Sequence, residues 1–134
     1  MPKEDYLIKY LEKLGRAIAA IISSRRNGSP DDGIRLADEI YKELWNLDTE
    51  SIAAMPDKEF IQLIRNENYT ASYLESIAQL THETGRVFSA KEDIGTAMNL
   101  YNKALQLYYL LNEKDRTFSF ERENIITELE SIIN

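Results

Sequence analysis

The residues best suited to chemistry are a histidine and an arginine four positions apart, His82 and Arg86. Side chains at this spacing lie on the same face of an α-helix. An imidazole beside a guanidinium could together bind a carboxylate. The alternative is that both are ordinary exposed residues with no ligand. The pair therefore suggests, at most, a binding site for an acidic group of a partner.

Neither a metal site nor an enzyme active site is predicted. A helical metal site needs further ligands three or four residues from the histidine. The positions at that spacing from His82 hold Ala78, Gln79, Gly85 and Arg86. The chain has no cysteine, which excludes thiolate ligands and cysteine nucleophiles. We expect no catalytic residue, no metal and no cofactor.

The charge distribution argues against nucleic acid as a partner. The net charge is −7, yet residues 1–26 carry six basic and three acidic side chains, so the rest of the chain is strongly acidic. Phosphate binding needs a concentrated basic surface. The basic side chains of the first helix are expected to form its solvated face, so contact with a membrane is not expected. No apolar leader or membrane-spanning run is visible, so a cytoplasmic location is expected.

Hydrophobic periodicity predicts an all-α chain of about six or seven helices in one domain, 1–134. Apolar residues recur at three- and four-residue spacing, and Gly and Pro fall between the periodic segments. The short connections predict antiparallel hairpins. The predicted parts are a hairpin over 5–46, short helices over 49–66, a second hairpin over 70–112 and a terminal helix over 118–133.

Small residues are placed among the large apolar ones of the second hairpin. Gly85 lies on its first helix, and Ala97 and Ala104 lie on its second. Two helices approach closely where small side chains face the partner helix. We therefore expect these residues to be packing notches that admit large neighbours, namely Phe88, Tyr101 and Leu105.

The same spacing resembles a tetratricopeptide repeat, a helix–turn–helix unit of 34 residues. The resemblance covers 78–111, "AQLTHETGRVFSAKEDIGTAMNLYNKALQLYYLL", and departs from the family pattern at Thr81, Thr84 and Tyr109. The matching residues are Gly85, Phe88, Asp93, Ala97, Tyr101, Ala104, Leu105 and Leu107. The chain as a whole also looks like a family of small uncharacterised bacterial helical proteins. The repeat implies a right-handed stack of hairpins with a C-terminal covering helix.

In such repeats the first helices of the hairpins line a groove that holds a peptide or a partner helix. The resemblance places that groove face here at Gln79, His82, Arg86 and Ser89. These residues lie on the stripe opposite Gly85, so we expect them to be exposed.

The expected function is a non-enzymatic protein-interaction module that binds a peptide, a helix or a partner protein. Tyr108 and Tyr109 are adjacent and must point to different faces, so one of them could be exposed and mark an interface. Two alternatives stay open. The chain could be a structural homodimer with no separate ligand. It could instead hold a small-molecule or enzymatic pocket between its hairpins, for which a buried acid in a sizeable pocket would be the sign.

Overall fold

Seven α-helices and no strand are found in the part of the chain that the structure describes, residues 3–134. The structure is a computed structural model, with side chains described from Asp5 onward. The all-α prediction is confirmed. The helices are α1 (Lys3–Arg26), α2 (Pro30–Trp45), α3 (Thr49–Ala54), α4 (Asp57–Glu67), α5 (Ala71–Ala90), α6 (Ile94–Lys114) and α7 (Phe120–Ile133).

Local sequence signals account for the helix ends. α1 ends before Gly28, whose φ of +76° is a left-handed conformation that glycine adopts without strain. Ser29 precedes α2 and Pro30 is its first residue, although the Ser29 side chain makes no capping hydrogen bond. The Asp48 carboxylate accepts a hydrogen bond from the backbone N–H of Ser51 at 2.8 Å and so caps α3. These short-range interactions explain why the observed boundaries lie close to the predicted ones.

The central helix of the fold is α5. It packs against α1 and α2 and, along most of its length, against α6. The outer side of α6 is in turn covered by α3, α4 and α7. The core is therefore continuous from the first hairpin to the last helix, with fully buried side chains that include Leu14, Ile21, Tyr41, Phe60, Ile77, Leu80, Leu100 and Leu107.

The close approach of α5 and α6 depends on a glycine, as the sequence predicts. A Cβ atom built at Gly85 would lie only 2.8 Å from Cε1 of Tyr101 and 3.5 Å from the carbonyl oxygen of Ala97. The Tyr101 ring therefore occupies the space that any side chain at position 85 would need. Ala97 and Ala104 are buried as well, and the packing notch predicted at Gly85 is confirmed.

Two threonines fill core positions where the repeat pattern has large apolar residues. Thr81 and Thr84 are fully buried, and their hydroxyls donate to the backbone carbonyls of Ile77 at 2.9 Å and Leu80 at 2.7 Å. The Thr81 hydroxyl also lies 3.0 Å from the Tyr41 hydroxyl on α2. Because every buried hydroxyl here has a partner, the departures from the pattern cost little.

A buried lysine joins α6 to the junction between α3 and α4. Lys103 is 2% exposed, and its ammonium donates to the Ala53 carbonyl at 3.2 Å and to Asp57 Oδ1 at 2.9 Å. The carbonyl belongs to the last turn of α3 (Thr49–Ala54), where helix acceptors lack partners within the helix. Lys103 thus satisfies the end of α3 and is paired with the first residue of α4.

Candidate interaction surface

The face predicted from the repeat resemblance is only partly accessible. Gln79 is exposed and Arg86 and Ser89 are half-buried, whereas His82 is only 4% exposed. The expectation that all four residues are exposed is therefore wrong at His82. The reason is that His82 lies three residues before Gly85, on the same side of α5, and its ring packs against Tyr101, the residue that also fills the space beside Gly85.

An ion-pair network closes this face. Arg86 donates to Glu83 at 3.1 Å and to Glu128 of α7 at 2.8 Å. Arg25 of α1 lies 3.7 Å from the same Glu83 carboxylate. Arg86 therefore already pairs with two carboxylates of this chain. Its guanidinium is not free to bind a carboxylate of another protein together with His82, as the sequence suggested.

His82 lies beneath this network in a largely apolar site. Its ring packs edge-on against Tyr101, with 6.0 Å between ring centroids, and its buried Nε2 has no hydrogen-bond partner. Burial, together with the positive charges of Arg86 and Arg25, lowers the pKa of His82 to about 4, although Glu128 acts in the opposite direction. The imidazole is consequently neutral at neutral pH and is part of the core.

An open groove with an apolar floor lies instead between α4 and α6. Two adjoining depressions, of about 300 and about 320 Å³, share Arg65, Leu110 and Glu113. We call them together the α4–α6 groove, lined by Ile61, Ile64, Arg65, Leu105, Leu110 and Glu113. The ion pair across it, Arg65 to Glu113 at 3.5 Å, has both side chains more than half exposed. Such a pair contributes little stability, so an occupant could separate it at small cost.

Tyr109 stands at the rim of this groove. It is 42% exposed, whereas its neighbour Tyr108 is 2% exposed. The prediction that one of the two tyrosines is exposed is thus confirmed. The Tyr109 hydroxyl donates to Glu130 of α7 at 2.7 Å, which holds the ring beside the opening.

A pair of exposed phenylalanines lies next to the groove, where α6 leads into α7. Phe118 and Phe120 are 65% and 77% exposed, and their rings meet edge-to-face with centroids 4.8 Å apart. A third depression, of about 470 Å³, is lined by Phe118 and by Tyr109 and Glu113 of the groove, so the two features adjoin. Sequence reasoning overlooked this pair. The sequence feature that could have indicated it is a pair of phenylalanines in a polar segment, outside the regular apolar spacing of the helices.

The remaining aromatic residues are largely used in packing. Tyr10, Tyr73 and Tyr69 form a parallel stack with centroids 5.6 and 4.6 Å apart. Both faces of the central ring, Tyr73, are covered, and burial raises the pKa of Tyr10 to about 12. Trp45 donates from its indole to the Tyr69 hydroxyl at 2.9 Å and packs edge-on against Phe60. The stack therefore joins α1 and α5 to the α4–α5 turn.

Among the described residues no group of three or more acidic or histidine side chains could hold a metal ion. In the same part of the chain no helix is long and apolar enough to cross a membrane. Comparison with protein-family models, with curated proteins and with solved structures gave no match.

Proposed function

We propose that the protein is a non-enzymatic protein-interaction module whose partner binds in the α4–α6 groove. The observation that carries this proposal is an open apolar groove beside the exposed Tyr109. Contiguous apolar surface with a polar rim is typical of protein-binding sites. Tyrosine is also enriched among the residues that contribute most to binding.

The groove suits an apolar segment of a partner flanked by acidic residues. Its floor is formed by isoleucine and leucine side chains, and its rim carries Arg65 and Lys114 against the single acid Glu113. A partner helix or extended peptide could place apolar anchors on this floor, and an acidic flank would meet the excess positive charge.

The tetratricopeptide-like arrangement is part of the same proposal. The Gly85–Tyr101 contact and the position of α5 between the first hairpin and α6 support it. In this interpretation α7 acts as the covering helix, because it packs on α6 and pairs Glu128 with Arg86. The partner would then bind on the side of α6 rather than on α5.

A small-molecule or enzymatic pocket is the weaker candidate. The depressions are open, and the acid that lines both of them, Glu113, is 65% exposed. Acid–base catalysis of this kind uses a buried carboxyl group. The lining residues of the groove include no buried acid.

The test compares two isoleucine-to-glutamate variants. Ile61→Glu places a charge in the groove, and Ile94→Glu places the same charge on an exposed isoleucine of the first turn of α6. A partner captured from the lysate of the source organism would be purified, and its dissociation constant measured for each chain. We expect Ile61→Glu to weaken binding by about tenfold or more and Ile94→Glu to leave it unchanged.

Circular dichroism would first establish that both variants fold. If Ile61→Glu perturbs the fold, Tyr109→Lys changes the rim without touching the core. A partner that binds the folded groove variants as tightly as the wild type would refute the proposal.

A further inference from the structure

The rings of Phe118 and Phe120 contact each other, and both side chains are mostly exposed to water. The two side chains are 65% and 77% exposed at the start of α7 and in the connection before it. Leaving apolar area in water costs about 25 cal/mol per Å², and neighbouring exposed aromatic rings are typical of interaction sites. Because both side chains are so exposed, the pair is suited to insert into a groove of another molecule rather than to receive a side chain itself.

We infer that the α4–α6 groove binds the Phe118–Phe120 pair of a second copy of this chain, forming a two-fold symmetric dimer. This inference rests on the proposed function, since it identifies the partner of the same groove. It combines three observations on one surface: a projecting aromatic pair, an adjoining groove and opposite charges around them.

The dimensions of the groove fit aromatic rings. Each of its two depressions has a volume of about 300 Å³. A cavity of roughly 150 Å³ is sufficient to hold a benzene ring. The groove therefore has room for both rings, one in each depression.

The charges around the two features are complementary. Arg65, Glu113 and Lys114 give the groove a net charge of +1. Residues 115–123, which surround the aromatic pair in the chain, carry three acidic and two basic side chains, a net charge of −1. Opposite charges across an interface favour this docking over a like-charged one. The same acidic flank opposes insertion of the pair into an anionic membrane.

The position of the pair allows a closed dimer. The depression lined by Phe118 shares Tyr109 and Glu113 with the groove, so the projecting and receiving features lie side by side. A two-fold axis near Tyr109 would place the aromatic pair of each copy in the groove of the other. Both contacts are then used, and no free end remains to extend a polymer.

The expected interface is small. A buried phenylalanine removes about 150–250 Å² from water, so four rings of these exposures contribute roughly 550 Å². The groove surfaces that they cover contribute a similar area, which gives roughly 1,100 Å² in all, near the lower limit of specific interfaces. We therefore expect a reversible dimer with a dissociation constant on the order of micromolar.

The test is sedimentation equilibrium of the full chain over a series of concentrations. It compares the wild type, the double variant Phe118→Ser/Phe120→Ser, the groove variant Ile61→Glu and the control Ile94→Glu. We expect the wild type and the control to dimerise with the same dissociation constant. For each of the other two variants we expect a dissociation constant that is higher by about tenfold or more. The phenylalanines are exposed, so their replacement is not expected to affect folding.

A mixing experiment adds a sharper criterion. The double phenylalanine variant keeps its groove, and the Ile61→Glu variant keeps its aromatic pair, so an equimolar mixture can form one intact contact. We expect a heterodimer that is tighter than either variant's homodimer, detected with a fluorophore on the N-terminus of one chain. Mixing that produces no heterodimer would contradict the inference.

The outcomes separate this inference from the proposed function. A wild type that stays monomeric at every concentration overturns the second-copy occupant. If partner capture is still lost with Ile61→Glu, the groove remains the binding site for a different protein. A dimer that persists in the double phenylalanine variant also overturns the inference, and one that needs the phenylalanines but not Ile61 refutes the groove as their receptor.

Discussion

Acid should destabilise this protein through its single histidine. The folded-state pKa of His82 is about 4, lowered by burial and by Arg86 and Arg25, whereas an unfolded chain titrates near 6.5. Between these values the unfolded state binds more protons than the folded state. The free energy of unfolding therefore falls as the pH falls from about 6.5 towards 4.

The magnitude follows from the difference between the two pKa values. One pKa unit corresponds to about 1.4 kcal/mol, so the 2.5 units between 6.5 and 4 give a loss of roughly 3 kcal/mol, of which about 2 kcal/mol is lost by pH 5. The charged groups around the imidazole are Glu83 and Arg86 on its own helix, Arg25 on α1 and Glu128 on α7.

Urea unfolding at about pH 7, 6 and 5 measures the effect, with His82→Leu as the variant that cannot titrate. We expect a slope approaching 1.4 kcal/mol per pH unit below about pH 6 in the wild type and a nearly flat profile in His82→Leu. The NMR chemical shifts of the His82 imidazole should also stay at the values of the neutral ring down to about pH 5. Parallel slopes for the two chains, or an imidazole that titrates near 6.5 in the folded protein, would refute the assignment of His82 to the core.

Two further predictions concern packing, and both are measured by denaturant unfolding. Gly85→Ala should lower the free energy of unfolding by about 1–2 kcal/mol, because its Cβ would meet the Tyr101 ring at 2.8 Å and overpacking outweighs the better helix propensity. Gly15→Ala, with no atom within 4 Å of its Cβ, is the control and should stabilise by up to about 1 kcal/mol; a stabilising Gly85→Ala would contradict the notch. Lys103→Met should cost about 1–3 kcal/mol because it removes the donor to the buried Ala53 carbonyl, and an unchanged stability would show that this contact is dispensable.

The helices were predictable from sequence because their ends depend on short-range interactions. Gly28, Pro30 and Asp48 each act within a few residues, and each stands where the structure has a helix boundary. The Gly85 notch was predictable for a similar reason. Two helices joined by a short turn must pack on each other. A small residue on the inner side of one helix therefore lies at the contact with the other helix.

The covering of helix faces was not predictable in the same way. The spacing of His82 and Gly85 places both on the side of α5 that faces Tyr101, but it contains no information on whether α1 and α7 close over the histidine. Burial of Lys103 depends on α3 and α4, which are distant from it in sequence. Phe118 and Phe120 stand out in the sequence as two phenylalanines in a polar segment, but their exposure is known only from the tertiary structure.

The position of Trp45 has a consequence for spectroscopy. It is the only tryptophan in the chain, and it contacts three separate parts of the fold: Tyr41 on α2, Phe60 on α4 and the Tyr69 hydroxyl in the turn before α5. Its emission therefore reports the attachment of α4 to the first hairpin without an added label. Because α4 forms one wall of the groove, occupation of the groove can be followed by the intrinsic fluorescence of the unmodified protein.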